Sequence, residues 1–327
     1  MTLRLEQNWL WDFWHIWNGD DCHLFYLQAP RSLGSEHLRH HHASIGHAVS
    51  RDLRQWTVLE DALHPGREGE WDDLATWTGS VIRRADRWYM FYTGIKRSEG
   101  GLIERVGLAT SIDLFDWKKV PDNPILEADP RWYEVLDLAS WHEQAWRDPW
   151  VFQDPTNASF HALITARSRS GDPDARGVIG HARSWNLRDW EVLPPLAASG
   201  ELGQLEVPQL VAFGKLYFLL FSYSRSDIAE SRIAHLTGPP QTGTFCVVTD
   251  GAFGPFDLSD GYLLAGDANG SYYGGKLIED RSGDLRFLAF KQYGPTGHFI
   301  GELTDPFPVT FDESRRPRVE LPLGDRP

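Results

Sequence analysis

Cysteine is almost missing from this chain: Cys22 and Cys246 are the two among 327 residues. So low a number excludes a disulfide framework and a cysteine-bound metal cluster. Both residues sit in apolar runs, where small buried hydrophobes are expected. Positive charge is also short. The formal net charge of −14 argues against nucleic acid and anionic membranes as partners, because phosphate binding needs a basic surface. No apolar run approaches the length of a membrane span. The opening MTLRLEQNWLWDF has no basic region followed by an apolar stretch, so the expectation is a cytoplasmic protein without a leader. Helical periodicity is scarce, and the best candidate is a short segment at 130–139.

What the chain does have is aromatic side chains, at 13% with 15 Trp, in a composition that is 41% hydrophobic and therefore globular. Tryptophan serves core packing first, and its flat face also suits the apolar face of a sugar ring. A degenerate repeat runs through the sequence. IGHAVSRDLRQW (45–56), VGLATSIDLFDW (106–117) and IGHARSWNLRDW (179–190) share apolar-Gly-x-Ala-x-Ser-x-Asp/Asn-Leu-x-x-Trp. This pattern predicts a strand, a tight turn held by Ser and Asp or Asn, and a second strand opening with Trp. Hairpin signals recur with turns near 18–21, 85–87, 154–159, 213–215 and 280–284. Five hairpins, at least three followed by a further strand pair, predict an all-β fold: a five-bladed β-propeller with four antiparallel strands per blade, as a single domain over 1–327. A β-sandwich or a pair of β domains is the competing architecture.

Three acidic motifs lie far apart: WDFW around Asp12, WRDPW around Asp148 and LEVPQL around Glu206. Each sets a carboxylate among aromatic, proline or apolar neighbours, surroundings that cost a charge dearly unless it is paired or used. Asp12, Thr78, Asp148, Glu206 and Tyr272 each precede an equivalent hairpin, at steps of 66, 70, 58 and 66 residues. The first strand of each propeller blade lines the central channel, so equivalent positions should meet near the axis. Carboxylates converging on one pocket suit glycosidic bond cleavage, which needs a nucleophile or base and a proton donor.

The chain resembles the five-bladed propeller glycosidases of glycoside hydrolase families 32 and 68, the fructan-active enzymes, and more distantly families 43 and 62. GHAVSRDLRQW with the following TWTGS resembles the family 32 pattern W-G-H-A-x-S-x-D-L-x-x-W and F-S-G-S. WRDPW resembles its R-D-P motif, LEVPQL its E-C-P or E-R-P motif, and HLFYLQ its H-L-F-Y-Q. WDFW departs from the N-D-P-N-G of family 32 and is closer to the W-D-S-W of family 68. The resemblance covers roughly residues 8 to 300, and the few residues beyond the fifth blade leave no expected counterpart to the C-terminal β-sandwich of family 32.

The resemblance implies a retaining glycosidase acting on β-fructofuranosides such as sucrose or small fructans, with transfer to a second sugar as a variant outcome. Asp12 would be the nucleophile, its acidity held in the ordinary range by hydrogen bonds. Glu206 would be the acid and base, its pKa raised by its apolar neighbours Leu205, Val207 and Pro208. Asp148 would grip ring hydroxyls, with Arg147 orienting one of the acids. Trp77 and Thr78 would line the sugar subsite, joined by Trp11, Trp14 and Gln28 from the first blade and by Tyr272 and Tyr273 from the fifth. Retention requires the Asp12 and Glu206 carboxyls about 5–5.5 Å apart. A spacing near ~7–9 Å would indicate an inverting family 43 arabinosidase or xylosidase, and the remaining alternative is a carbohydrate-binding propeller without catalysis. No cofactor is expected. His47 reads as a structural residue, and His37, His40, His41 and His42 as a solvated loop rather than a metal site.

Overall fold

The computed structural model describes residues 2–321, and everything below concerns those residues. The domain expected over 1–327 runs past them, since residue 1 and residues 322–327 lie outside. Blade 1 consists of β1 (Asn8–Asn18), β2 (Asp21–Pro30), β3 (Ser44–Ser50) and β4 (Thr57–Val58). Blade 2 holds β5 (Ala75–Arg84), β6 (Arg87–Ile95), β7 (Glu104–Ser111) and β8 (Lys118–Lys119). Blade 3 holds β9 (Trp146–Gln153), β10 (Phe160–Arg167), β11 (Gly177–Ser184) and β12 (Trp190–Ala198). Blade 4 holds β13 (Glu206–Phe213), β14 (Leu216–Tyr223), β15 (Thr242–Thr249) and β16 (Tyr262–Asp267). Blade 5 holds β17 (Tyr272–Glu279), β18 (Leu285–Tyr293), β19 (Phe299–Leu303), β20 (Phe307–Phe311) and β21 (Pro317–Val319), with β19 and β20 both pairing β18. Each sheet is antiparallel with its strands in sequence order, giving the five-bladed propeller that the hairpin spacing predicts.

The core explains the run-like hydrophobicity of the second strands. Apolar side chains gather between neighbouring blades: Phe25 and Leu27 meet Met90 and Tyr92, and Leu108 meets Val151 and Ala162. Leu163 meets Leu219, Cys246 meets Phe287, and Leu24 meets Leu288 across the seam between the first and last blades. A strand packed on both faces loses the two-residue alternation of a half-exposed one, hence HLFYL and YFLLF. Because the apolar mass lies between blades, the axis is left to polar groups. Leu303 N–H donates to the Leu3 carbonyl at 3.0 Å and Arg31 Nη2 to the Ile300 carbonyl at 3.1 Å, tying the start of the chain to the last blade.

The repeated turn has one construction in three blades. Asp52, Asp113 and Asn186 each accept two backbone N–H groups through Oδ1, at 2.7 to 3.0 Å. The leucine that follows adopts positive φ: 60° at Leu53, 74° at Leu114 and 68° at Leu187. Left-handed backbone costs a leucine about 1–2 kcal/mol. Burying its side chain, complete at Leu114 and Leu187, returns about as much.

The short helix expected at 130–139 is absent. Asp129 accepts Arg131 N–H and Asp137 accepts Ala139 N–H, so side chains take the donors that would start a helix. Glu134 N–H turns to the Arg167 carbonyl, and Tyr133 is buried against blade 3. The only α-helix among the described residues is one turn, Glu230–Ile233.

Candidate functional site

Each inner strand carries a β-bulge at the same level. Regular pairing breaks at Asp12 in β1 and at Thr78 in β5. It breaks after Arg147 in β9, after Glu206 in β13 and after Tyr273 in β17. A bulge re-aims side chains, and in blades 1 to 4 the bulged residue lines one cavity. The bulged positions are Asp12, Thr78, Asp148, Val207 and Gly274, with φ of 58° at Asp148, 46° at Val207 and 59° at Gly274. This corrects the register read from hairpin spacing: Glu206 stands one residue, and Tyr272 two residues, ahead of the level of Asp12, Thr78 and Asp148.

Around this level lies a cavity of about 590 Å³. Asp12, Asp148 and Glu206 line it together with Trp11, Trp77, Thr78, Arg147 and Tyr273. Three expected contacts lie elsewhere. Trp14 is buried between blades 1 and 2, stacked on Phe25 at 6.1 Å. Gln28 spends its amide on Asn8 at 2.9 Å and Asp61 at 2.5 Å. Tyr272 sits in the apolar seam between blades 4 and 5, edge-on to Phe307.

The carboxylates differ in their partners. Asp12 receives the Thr78 hydroxyl on Oδ2 at 3.4 Å, while its buried Oδ1 has no hydrogen-bond partner. Its pKa is pushed up to about 7, by burial first and then by the charges of Asp148 and Glu206. Hydrogen bonding therefore does not hold Asp12 in the ordinary carboxylate range, contrary to expectation. Glu206 accepts from Arg147 Nη2 at 2.5 Å on one oxygen and from the Tyr273 hydroxyl on the other. Its apolar sequence neighbours do not form its surroundings, which are a guanidinium and a phenol. Asp148 Oδ2 accepts from Thr165 at 2.8 Å and from Val207 N–H at 3.1 Å, and burial raises its pKa.

Arg147 is the hub of the acids. Its Nη1 reaches Glu104 at 3.1 Å and Glu143 at 2.8 Å, its Nη2 reaches Gln204 and Glu206, and its Nε stands 3.6 Å from Asp148. Glu104 is fully buried, and its other donor is Trp146 N–H at 2.8 Å. Asp227 lines the same cavity, its pKa raised to about 7 by burial and by the charge of Glu206.

Several residues of the site were not legible in the sequence. Glu143 and Gln204 come from loops and Asp227 from the 3-10 turn Arg225–Asp227, segments whose motifs carry no signal. The histidine run is a 3-10 helix, Glu36–His42, that walls the cavity with His37, His40 and His41 rather than a solvated loop. His40 stands edge-on to Trp11 at 5.9 Å and Trp77 at 6.0 Å, and its carbonyl accepts Trp77 Nε1–H at 2.7 Å. His47 is structural, as expected: it lies 3.0 Å from His23 and stacks on Phe25. Among the described residues no group of three His, Cys, Asp or Glu side chains is arranged to hold a metal ion.

Chemically, the cavity offers one carboxylate with a free oxygen, a second fixed by two donors, and a third anchored in the wall. The model of the glycosyl hydrolases family 32 N-terminal domain matches residues 6–282. A cell-wall β-fructofuranosidase isozyme of Pisum sativum is 26% identical over 289 residues, covering 83% of this chain and 48% of that protein. A sucrose-6-phosphate hydrolase of Bacillus subtilis (strain 168) is 28% identical over 217 residues, covering 65% of this chain and 38% of that protein. The chain thus spans about half or less of the curated relatives it matches. Among solved structures, an inulosucrase from Halalkalicoccus jeotgali bound to kestose superposes with a TM-score of 0.78 at 24% identity, over 96% of this chain and 87% of the other. That likeness is one of fold.

Proposed function

This chain belongs to glycosyl hydrolases family 32, and on that premise we propose that it is a retaining glycosidase acting on β-fructofuranosides, sucrose or small fructans. The observation that carries the proposal is the meeting of Asp12, Asp148 and Glu206, from three blades, on one cavity, with Asp12 Oδ1 unpartnered. The names of the Pisum and Bacillus relatives support a β-fructoside as substrate.

In this reading Asp12 Oδ1 attacks the anomeric carbon as the bond to the leaving oxygen breaks. Glu206 gives its proton to that oxygen, and a fructosyl ester on Asp12 remains. Glu206 then takes a proton from water, the water oxygen bonds the anomeric carbon, and the Asp12 carboxylate departs. Asp148, fixed by Thr165 and Val207 N–H, accepts from ring hydroxyls as positive charge develops. The phenol of Tyr273 stays protonated, because burial and the adjacent carboxylates hold its pKa well above the usual value, so it remains a donor to Glu206.

The test is turnover of sucrose, levan oligosaccharides and nitrophenyl furanosides by the purified protein, with the anomer first released followed by NMR. Retention and fructose release or transfer are expected, and Asp12→Asn and Glu206→Gln should each abolish turnover with the fold intact. Normal turnover in either variant, or an inverted product, overturns the assignment.

A further inference from the structure

Val207 is the least comfortable residue at the bulge level. A β-branched side chain at φ 46° is a true backbone outlier, and such strain persists only where the surroundings over-determine it. Both faces of this residue are clamped. Its N–H donates to Asp148 Oδ2 at 3.1 Å, and its carbonyl accepts from Lys276 Nζ at 2.6 Å. Lys276 leaves β17 in blade 5, is 2% exposed, and stands 5.8 Å over the Trp150 ring. The N–H belongs to the peptide that joins Glu206 to Val207 and the carbonyl to the one that joins Val207 to Pro208, so the two clamps together fix the backbone of Val207 and with it the path of the strand directly after Glu206.

We propose that Lys276 is a positioning residue for the reacting pair: its ammonium pins the Val207 carbonyl and so aims Glu206, and its charge lies behind Asp12 and Asp148.

Stitching blades 4 and 5 does not need a charge at this place. One residue further along β17, Gln209 joins the same two strands with a neutral amide, donating to the Leu277 carbonyl and accepting Leu277 N–H, both at 2.9 Å. A buried ammonium costs far more than an amide and is retained where its charge is used. The charged and titratable groups that feel Lys276 are Asp12 and His15 of β1 and Asp148 of β9. Its charge favours the ionised forms of both aspartates, and Asp12 as a nucleophile must be ionised.

The inference rests on reading Asp12 and Glu206 as the reacting pair, and two readouts separate its failure from the failure of that reading. The first needs no substrate. The titration of Asp12, followed by carboxyl-carbon NMR in Lys276→Met, should move upward by about half a unit or more relative to wild type. The second is kinetic. Lys276→Met should lower kcat on sucrose about 10- to 100-fold with KM changed little, as expected for a misaimed group. The acidic limb of kcat/KM should rise with the Asp12 titration, and Lys276→Arg should restore both. A merely structural lysine would lower stability and leave the limb in place. If Lys276→Met does not fold, Lys276→Gln, which keeps a donor at the blade contact, carries the same measurements. An Asp12 titration and a kcat both unchanged in a folded neutral variant overturn the proposal. A wild-type protein inactive on every fructoside overturns the activity and leaves the titration to decide on Lys276.

Discussion

Gly274 lies against Asp12: a Cβ placed on Gly274 would stand 2.9 Å from Asp12 Oδ1, the oxygen that has no other partner. Its φ of 59° also belongs to the left-handed region that glycine occupies without penalty. Gly274→Ala should therefore displace Asp12 and strain β17 together. The expected result is a loss of kcat of about 10- to 100-fold with a stability cost of about 1 kcal/mol. Steady-state kinetics with thermal unfolding checks both. A variant with wild-type kcat would show that Asp12 does not need this close approach.

The raised pKa of Asp12 links activity to stability. Ionised Asp12 is required for attack, so kcat/KM should fall as pH drops through about 7. Stability should run the other way. A carboxyl whose folded-state value exceeds its unfolded one stabilises the fold below the unfolded value of 3.8 and loses that contribution as pH rises to about 7. Asp12→Asn removes the ionisable group. It should raise Tm at pH 8 by several degrees, at about 2 °C per kcal/mol for a chain this large, with a smaller difference at pH 5. Calorimetry at the two pH values measures it, and equal shifts at both would contradict the linkage.

Arg147 holds buried Glu104 as well as Glu206. Arg147→Met leaves the Glu104 carboxylate buried and uncompensated, a change that costs about 3–5 kcal/mol. Arg147→Lys should not rescue it, because an ammonium cannot span Glu104, Glu143 and Glu206 as the guanidinium fork does. The double variant Arg147→Met/Glu104→Gln should recover part of the lost stability in chemical denaturation.

Charge at the cavity bears on substrate choice. Among the described residues, Arg147 is the one Lys or Arg lining it, and its donors are engaged by Glu104, Glu143, Gln204 and Glu206. Five carboxylates line the same space: Asp12, Glu143, Asp148, Glu206 and Asp227. A phosphate dianion would meet uncompensated like charge, so sucrose should exceed sucrose-6-phosphate in kcat/KM by about tenfold or more, equivalent to ~1.4 kcal/mol. A preference for the phosphorylated sugar would point instead to His37, His41 and His142 as its partners.

The blades are legible in the sequence because their signals are local. Ser50–Leu53 and its two copies are turns built by a side chain and its own neighbours, and such turns repeat wherever the same residues recur. Asp12, Asp148 and Glu206 are legible because a carboxylate among Trp, Pro and Val is conspicuous. Glu206 stands one residue off the register of the hairpin spacing, because a bulge shifts register without leaving a mark in residue type. Trp14, Gln28 and Tyr272, expected at the cavity, lie away from it, because sequence shows proximity along a strand and not which face a side chain takes.

By itself the sequence determined the five hairpins, the repeated turn and the identity of the three acids, all consequences of short-range pairing and residue chemistry. Tertiary structure alone decided what surrounds those acids. The bulges, the ring of blades and the returning 3-10 helix bring Arg147, Tyr273, Gly274, Lys276 and His40 together from three separate stretches of chain. Electrostatic environment depends on distance through space, and an apolar neighbour in sequence says little about it. This is why Asp12 has a pKa near 7 and why Glu206 sits between a guanidinium and a phenol.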